Sequence, residues 1–393
     1  MPGAATRTPA LVPADPFDVL PAGAVVAVAM SGGVDSSVAA ARCLERGIPA
    51  VGVTLAMWPR DRDRDRDRGC CSVDAVEDAR RVCATLGIPH YAWDLEARFA
   101  AEVIEDYADE YAAGRTPNPC VRCNERIKFG ALLERALAVG ATHVATGHYA
   151  RIGIRDGAAT LHRAADPRKD QAYTLSRIGR AGLRRAVFPV GGHGSKADVR
   201  AEARRLGLGT AGKPDSQELC FVEGRVRDDL ARRLRGRFAP GEIVDASGRV
   251  VGEHDGLPFH TVGQRRGLRL SPDRPDAAPL HVLRLEVATN RVVVGPRAAL
   301  AASSLVAVRC AWLGAPPEVG EAVGVQVRAH GGTVPAVVAG LGGADAAEPE
   351  TVALELREPL DAAAPGQAVV ILDGVPGDEI LGGGVLEKAA AAA

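Results

Sequence analysis

A serine–glycine loop and three separated cysteines are the residues of this sequence whose types and spacing could do chemistry. The loop runs Ser31-Gly32-Gly33-Val34-Asp35-Ser36-Ser37, after the slender apolar run Ala24 to Met30 and before a helical pattern through Val38 and Leu44. Strand, glycine turn and helix start in that order make an anion site. Glycines let backbone N–H groups approach phosphate oxygens, and a helix N-terminus adds about half a positive charge. Asp35 can cap the helix or hold a metal ion. A kinase-type phosphate loop would carry Gly-Lys-Ser/Thr here, and this loop has no lysine.

The second unusual stretch is 114–124, Gly-Arg-Thr-Pro-Asn-Pro-Cys-Val-Arg-Cys-Asn. Its two prolines favour an extended backbone, after which Asn124 is placed to cap a helix starting near Glu125. That puts Cys123 at a helix N-terminus beside Arg122 and Arg126, and both effects favour the thiolate. A lone Cys-x-x-Cys could equally be half of a zinc site, but no second pair stands at zinc-ribbon spacing. Cys220, in Lys213-Pro214-Asp215-Ser216-Gln217-Glu218-Leu219-Cys220-Phe221, is the other nearby candidate thiol. Periodicity does not pair it with Cys123. Cys70 and Cys71, being adjacent, point different ways and read as ordinary thiols. Asp61 to Arg68, Asp-Arg four times over, has nothing to pack and reads as a solvated loop.

Four apolar segments, 24–30, 50–57, 88–93 and 142–146, alternate with helical patterns near 36–46, 73–86, 99–112 and 124–139. Such alternation predicts an α/β fold with a doubly wound parallel sheet, whose ligands sit beyond the C-terminal strand ends. Met57 and Gly147 close the second and fourth strands there, as neighbours for an adenine. Residues 151–163 read as a hairpin turning at Asp156-Gly157. Arg168-Lys169-Asp170-Gln171 reads as polar and exposed. Helices follow near 171–180, 196–206 and 225–235. After Gly241 the pattern changes to short β segments at 242–251, 280–287, 291–294, 305–312, 323–329, 334–340, 351–357 and 367–372. The divisions expected are a disordered lead (1–22), a nucleotide-binding domain (23–212), a central linker domain (213–275), a small β domain (276–387) and a frayed alanine tail (388–393).

A length of 393 residues allows two or three domains, and eight cysteines in so long a chain do not make a disulfide scaffold. The N-terminal apolar run is far short of the roughly 20 residues that span a bilayer, so no membrane association and a cytoplasmic location are expected. Net charge is −1, but residues 151–237 carry 20 Lys/Arg against 10 Asp/Glu, and residues 331–393 carry 2 against 10. A basic middle beside a nucleotide loop suggests a polyanionic partner, although solvated arginine-rich helix faces would look the same.

With these pieces assembled, the loop resembles that of the ATP pyrophosphatases, and the whole chain resembles the bacterial tRNA-specific 2-thiouridylases. The likeness rests on SGGVDSS, GRTPNPCVRCNERIKFG (114–130), ATGHYAR (145–151), RKDQAYTL (168–175), PDSQELCF (214–221) and HTVGQRRGL (260–268). It implies that the β domain is a barrel. It also implies that ATP, with Mg²⁺, adenylates the C2 carbonyl oxygen of the wobble uridine in the lysine, glutamate and glutamine tRNAs. AMP is then a good leaving group where a carbonyl oxygen is a poor one.

By motif position Cys220 resembles the persulfide carrier, and Cys123 the nucleophile that forms a transient disulfide with it. ATP is expected on Ala29, Met30, Ser31, Gly32, Gly33, Val34, Asp35, Ser36, Met57 and Gly147. Asn118, Pro119 and Cys120 match the segment at the target base, and His148, Lys169, Asp170 and Gln171 match tRNA-contact positions. Arg328 and Gln367 match barrel positions near the anticodon arm. Many members carry Asp where Cys120 stands, and Ala329 replaces an aromatic residue. The sulfur would come from a cysteine desulfurase or a relay protein. Two alternatives remain: a [4Fe–4S] cluster on Cys120, Cys123 and Cys220, or an ATP pyrophosphatase-type amide- or amine-forming ligase.

Overall fold

The computed structural model describes residues 10–57, 73–214, 219–222, 224–271 and 279–391. The Asp-Arg repeat, Cys70, Cys71 and residues 215–218 lie outside them. Strands β1 (Val26–Ala29), β2 (Ala50–Ala56), β3 (His90–Asp94) and β4 (His143–Ala145) form where expected. Val26 and Val28 of β1 enter one apolar cluster and Ala27 enters another, so both faces of the sheet are covered. β5 (Arg151–Arg155) and β6 (Ala158–His162) make the expected hairpin, and β7 (Ala186–Val187) returns to the first sheet. That sheet is wholly parallel in the order β3-β2-β1-β4-β7. Chain direction away from the first strand reverses between β1 and β4, which is the crevice where such sheets bind ligands.

Helix α1 (Val34–Glu45) follows β1, and the helix Lys196–Arg205 follows β7. Lys196 pairs with Asp35, Glu202 with Arg42 and Arg205 with Glu45. The partners advance together along both chains, so the two helices lie side by side with their N-termini at the same end.

A central antiparallel-and-parallel sheet takes β8 (Gly241–Asp245), β9 (Val250–His254), β10 (Arg269–Leu270), β11 (His281–Glu286) and β12 (Arg291–Gly295), in the order β10-β9-β8-β12-β11. The stretch 242–251 is therefore two strands, not one. Because β12 pairs with β8, the sequence border at 276 falls inside this sheet. Beyond it, β13 (Ala301–Trp312), β14 (Ala322–Gln326), β15 (Val334–Gly342), β16 (Thr351–Asp361), β17 (Ala368–Leu372) and β18 (Glu379–Ala391) close into a six-stranded barrel. Closure comes from pairing of β13 with β18.

Four expectations change. Residues 388–391 are no frayed tail but the end of β18. Residues 10–22 are ordered: Leu11 exchanges two hydrogen bonds with Ile154, and Phe17 is buried. The hairpin β5–β6, counted from sequence within the 23–212 domain, pairs with the barrel, since β6 meets β18 through His162–Glu379 and Leu161–Ile380. Residues 171–180 are a 3₁₀ turn (Ala172–Leu175) and the start of a short helix (Gly179–Leu183). β17 shows why the units cohere. Val369 and Ile371 face the barrel core, while Ala368, Val370 and Leu372 pack into the cluster beneath the parallel sheet.

Candidate active site

At the crevice, Gly32 adopts φ +68° and a Cβ there would lie 2.3 Å from the carbonyl oxygen of Ala75. Only glycine permits that turn. The loop is braced from within. Ser36 Oγ donates to Gly33 O at 3.1 Å, accepts from the Ser31 N–H at 3.2 Å and lies 3.2 Å from Ser31 Oγ. Ser37 Oγ donates to Gly33 O, and Thr210 Oγ1 donates to Ser37 Oγ. Gly33 is the N-cap of α1 with no side-chain cap, so the first N–H groups of the helix are not covered by a side chain. Gly147, after β4, presses on the same turn: a Cβ would lie 2.7 Å from the Ser36 nitrogen and 2.8 Å from Asp35. Met30, which leads into the loop, and Met57, which follows β2, are both buried, in different apolar clusters.

Lysine absent from the loop arrives from elsewhere. Lys196 Nζ donates to both Asp35 oxygens at 2.7 and 2.6 Å, and Tyr149 OH donates to Oδ1 at 2.7 Å. Lys213 Nζ donates to Gly32 O at 3.1 Å and to Asp78 at 2.7 Å. His148 Nδ1 lies 2.7 Å from Thr146 Oγ1, and its Nε2 is 3.4 Å from Lys128 Nζ. Burial, then the Lys128 charge, holds the His148 ring well below its ordinary range, so it is neutral. Sequence reading missed Lys196, Lys213 and Tyr149. The available signal was composition: the chain has five lysines beside 43 arginines, and three of the five lie in this region.

The thiol segment differs from expectation at its helix start. Asn118, not Asn124, is the N-cap: its Oδ1 accepts from the Val121 N–H at 3.2 Å, with Pro119 in the first turn. The helical N–H groups therefore lie nearest Cys120, which is exposed, while Cys123 is a full turn along and buried. Asn124 instead turns inward, where Nδ2 donates to Thr174 O at 2.9 Å. Wide π-helical turns at Ala100–Ile104 and Asn124–Ala131 flank the site, a distortion frequent at functional positions.

Segments bearing Cys123 and Cys220 rest on the same stretch of chain. Arg122 Nε donates to Glu102 O at 3.1 Å and its guanidinium is 3.6 Å from Asp106. Phe221 stands edge-on to Phe99 and Tyr107. Cys123 belongs to the large apolar cluster that Cys220 packs against. Beneath them Arg177 is buried 3.2 Å from Glu125, and desolvation lowers its guanidinium from the ordinary range. Among the described residues no three His, Cys, Asp or Glu side chains group as a metal would require. Cys120 is exposed and Cys123 buried, so the three cysteines of the [4Fe–4S] alternative are not gathered into one such group here.

Barrel residues close over this segment. Gln367 Nε2 donates to Thr116 O at 3.0 Å, and the Thr116 N–H donates to Pro365 O at 2.7 Å. Arg328 donates to Asp361 O and Ala362 O, and with Gln367, Thr261 and His281 it lines a cleft of about 460 Å³. Asp170 is not simply exposed: its carboxylate accepts from Arg163, Ala164 N and Ala172 N. Gln171 Oε1 accepts from Tyr149 N at 3.0 Å. Much of the basic stretch is likewise engaged, with Arg180 on Glu348, Arg227 on Asp255, Arg233 on Asp229 and Arg237 on Asp109. Arg184, Arg204, Arg225 and Arg235 are exposed.

A parallel sheet with a lysine-ringed glycine loop at its switch point, joined to a β-barrel that holds the segment before a cysteine-bearing helix, defines an α/β enzyme of the nucleotide-using class. Family descriptions match in the same three parts: "tRNA methyl transferase HUP domain" over 24–224, "tRNA methyl transferase PRC-barrel domain" over 228–296 and "Aminomethyltransferase beta-barrel domain" over 302–386. The tRNA-specific 2-thiouridylase MnmA of Acidothermus cellulolyticus is 50% identical over 346 residues, covering 88% of this chain and 93% of its own. That of Paenarthrobacter aurescens is 46% identical over 374 residues, covering 93% and 97%. The chain belongs to the MnmA family of tRNA-specific 2-thiouridylases and is an enzyme of that family. A 4-thiouridine synthetase–RNA complex with bound ATP is 18% identical, with a TM-score of 0.35 over 55% of this chain and 50% of that chain; so slight a likeness carries no argument.

Proposed function

We propose that this chain converts the C2 oxygen of the wobble uridine of tRNA to sulfur at the expense of ATP. What carries the reading is the shared anchorage of the two cysteine segments on 96–112, within reach of the segment that the barrel clasps. In this reading ATP lies on Ala29 through Ser36, with its adenosine against Met57 and Gly147. Mg²⁺ fits the Asp35 carboxylate, which already attracts a cation, and when bound it would neutralise phosphate charge. The uridine C2 oxygen attacks the α-phosphorus, the bond to the β-phosphate breaks, and pyrophosphate departs.

Sulfur enters as a persulfide on Cys220, delivered by a cysteine desulfurase or a relay protein. The Cys123 thiolate attacks Cys220 Sγ, forming a disulfide and expelling hydrosulfide. The hydrosulfide adds to C2, and AMP leaves with the original oxygen. A cellular dithiol then returns two electrons to the disulfide. Asn118, Pro119 and Cys120 flank the flipped base. His148, Lys169, Asp170, Gln171, Arg328 and Gln367 meet the anticodon arm of the lysine, glutamate and glutamine tRNAs, in the cytoplasm where those tRNAs work. Asp170 contributes there by holding Arg163 and the 170–172 turn.

Nucleoside mass spectrometry of tRNA incubated with the protein, ATP, Mg²⁺ and a sulfur source tests this. The native chain should yield 2-thiouridine, and Cys123→Ser and Cys220→Ser should yield none while binding ATP normally. Normal thiolation by both variants, or amine incorporation in place of sulfur, would overturn it.

A further inference from the structure

Arg163 follows β6 and belongs to none of the motifs that carry the resemblance, yet its guanidinium meets four separate points of the chain. Nε donates to Gly377 O at 2.9 Å, and one terminal nitrogen donates to Asp170 Oδ2 at 2.9 Å. The other donates to Gln326 Oε1 at 2.8 Å and to Thr333 Oγ1 at 3.1 Å. The backbone N–H of Arg163 is itself fixed to Asp378 O at 2.9 Å.

Gln326 and Thr333 are the two roots of one barrel turn, since β14 ends at Gln326 and β15 begins at Val334. Arg328 and His330 are exposed on that turn. Gln326 is buried and passes the constraint on: its Nε2 donates to Arg328 O at 2.8 Å and to Ala329 O at 3.1 Å. On the other side, Asp170 Oδ1 accepts from Ala164 N and Ala172 N, so the same carboxylate shapes the turn bearing Gln171. A continuous run of hydrogen bonds therefore joins 168–171 to the Arg328 turn, and its central step, Arg163 to Gln326, spans 163 residues of sequence.

Arginine suits such a junction. Its planar fork holds five N–H groups in fixed, diverging directions, whereas lysine gathers three donors on a single nitrogen. Four acceptors in different directions are met here.

We propose that Arg163 is a positioning residue that fixes the spacing between two RNA-gripping segments, 168–171 and the Arg328 turn, so that both engage one anticodon arm without reordering. This rests on the reading of those segments as tRNA contacts. Arg163 acts through its neighbours rather than on the RNA. Segments held at their bound spacing before the RNA arrives spare the complex an ordering cost.

Filter binding of unmodified lysine tRNA to the full-length protein, and 2-thiouridine formation at saturating tRNA, separate positioning from mere support. Arg163→Lys keeps the charge and loses the fork. It should raise the Kd for tRNA by about tenfold, with the maximal rate within about twofold of native and ATP affinity unchanged. The slope of log Kd against log salt should stay native, because no phosphate contact is removed. Gln326→Glu can still accept from Arg163 but loses the amide donor to Arg328 O and Ala329 O, and should weaken tRNA binding to the same extent. The double variant should bind no worse than the weaker single one, as residues on one path do. Gln326→Glu carries the expectation alone should Arg163→Lys not fold.

A side chain that only supports the fold would lower thermal stability and the maximal rate and leave tRNA affinity alone. That pattern, a changed salt slope, or losses that add in the double variant would each overturn the proposal. A native protein that binds tRNA without forming 2-thiouridine would overturn the thiolation reading and leave this one standing.

Discussion

The ring of Phe221 stands edge-on to that of Tyr107, with centroids 4.9 Å apart and planes at 87°. Phe221 follows Cys220 directly, and Tyr107 follows Asp106, the carboxylate beside Arg122. One aromatic contact therefore fixes where a thiol sits relative to the helix that bears the other. Phe221→Ala should cost about 3–5 kcal/mol, as buried aromatic truncations do. It should also slow diamide-driven crosslinking of Cys123 to Cys220 by at least about tenfold, the scale of a small misplacement of reacting groups. Thiol-blocked electrophoresis reads the crosslink, and nucleotide affinity should stay close to native.

Gly147 supports a prediction on the nucleotide side. An alanine there would drive its Cβ into the Ser36 nitrogen and the Asp35 backbone, displacing the loop from β4. Gly147→Ala should weaken ATP binding by about tenfold or more, near 1.4 kcal/mol, as read by calorimetry. The rate at which the two cysteines crosslink should not change.

Asn118 caps the cysteine helix through its Oδ1. Asn118→Ala should lower stability by about 1 kcal/mol, the ordinary value of a lost cap. Thermal melting reads the stability. Because the cap sits beside Cys120, 2-thiouridine formation should fall further than that stability loss alone would cause, with ATP affinity unaltered.

Acid should destabilise the central unit. His254 and His260 are buried with rings 5.6 Å apart. Burial first, then the His254 and Arg227 charges, pushes His260 from 6.5 down to about 4, against an opposing pull from Asp255. The unfolded chain binds a proton below about 6.5 that the folded ring refuses, so stability is complete above that pH and lost as pH falls towards 4. The loss approaches about 1.4 kcal/mol per pH unit within that window. Melting of the native protein and of His260→Gln between pH 7 and 5 should show a shallower acid decline in the variant.

Most of the nucleotide-binding unit was legible because local signals agree there: glycine where the turn needs positive φ, apolar alternation, and a helix start. The start of the cysteine helix was misplaced by six residues because Asn118 and Asn124 are both good caps, and sequence cannot tell which side chain turns inward to Thr174. The last strand was missed because Leu381-Gly382-Gly383-Gly384 and the closing alanines lack strand character. Those glycines are needed where β18 is hemmed in: a Cβ on Gly383 would lie 2.6 Å from Val369 O, and one on Gly384 2.7 Å from Cys310 Sγ. Lys196 meeting Asp35 across 161 residues left no local trace at all.

That late strand has a consequence for how the molecule is made. β6, near the middle of the chain, has β5 on one edge and meets Glu379 and Ile380 of β18 on the other, and β13 needs the same late strand to seal the cylinder. During synthesis the hairpin and an open sheet must both wait with bare edges until the final segment leaves the ribosome, and such edges invite pairing with other chains. A nascent chain stalled just before residue 379 would thus be a sticky species, though its nucleotide-binding sheet could already be complete.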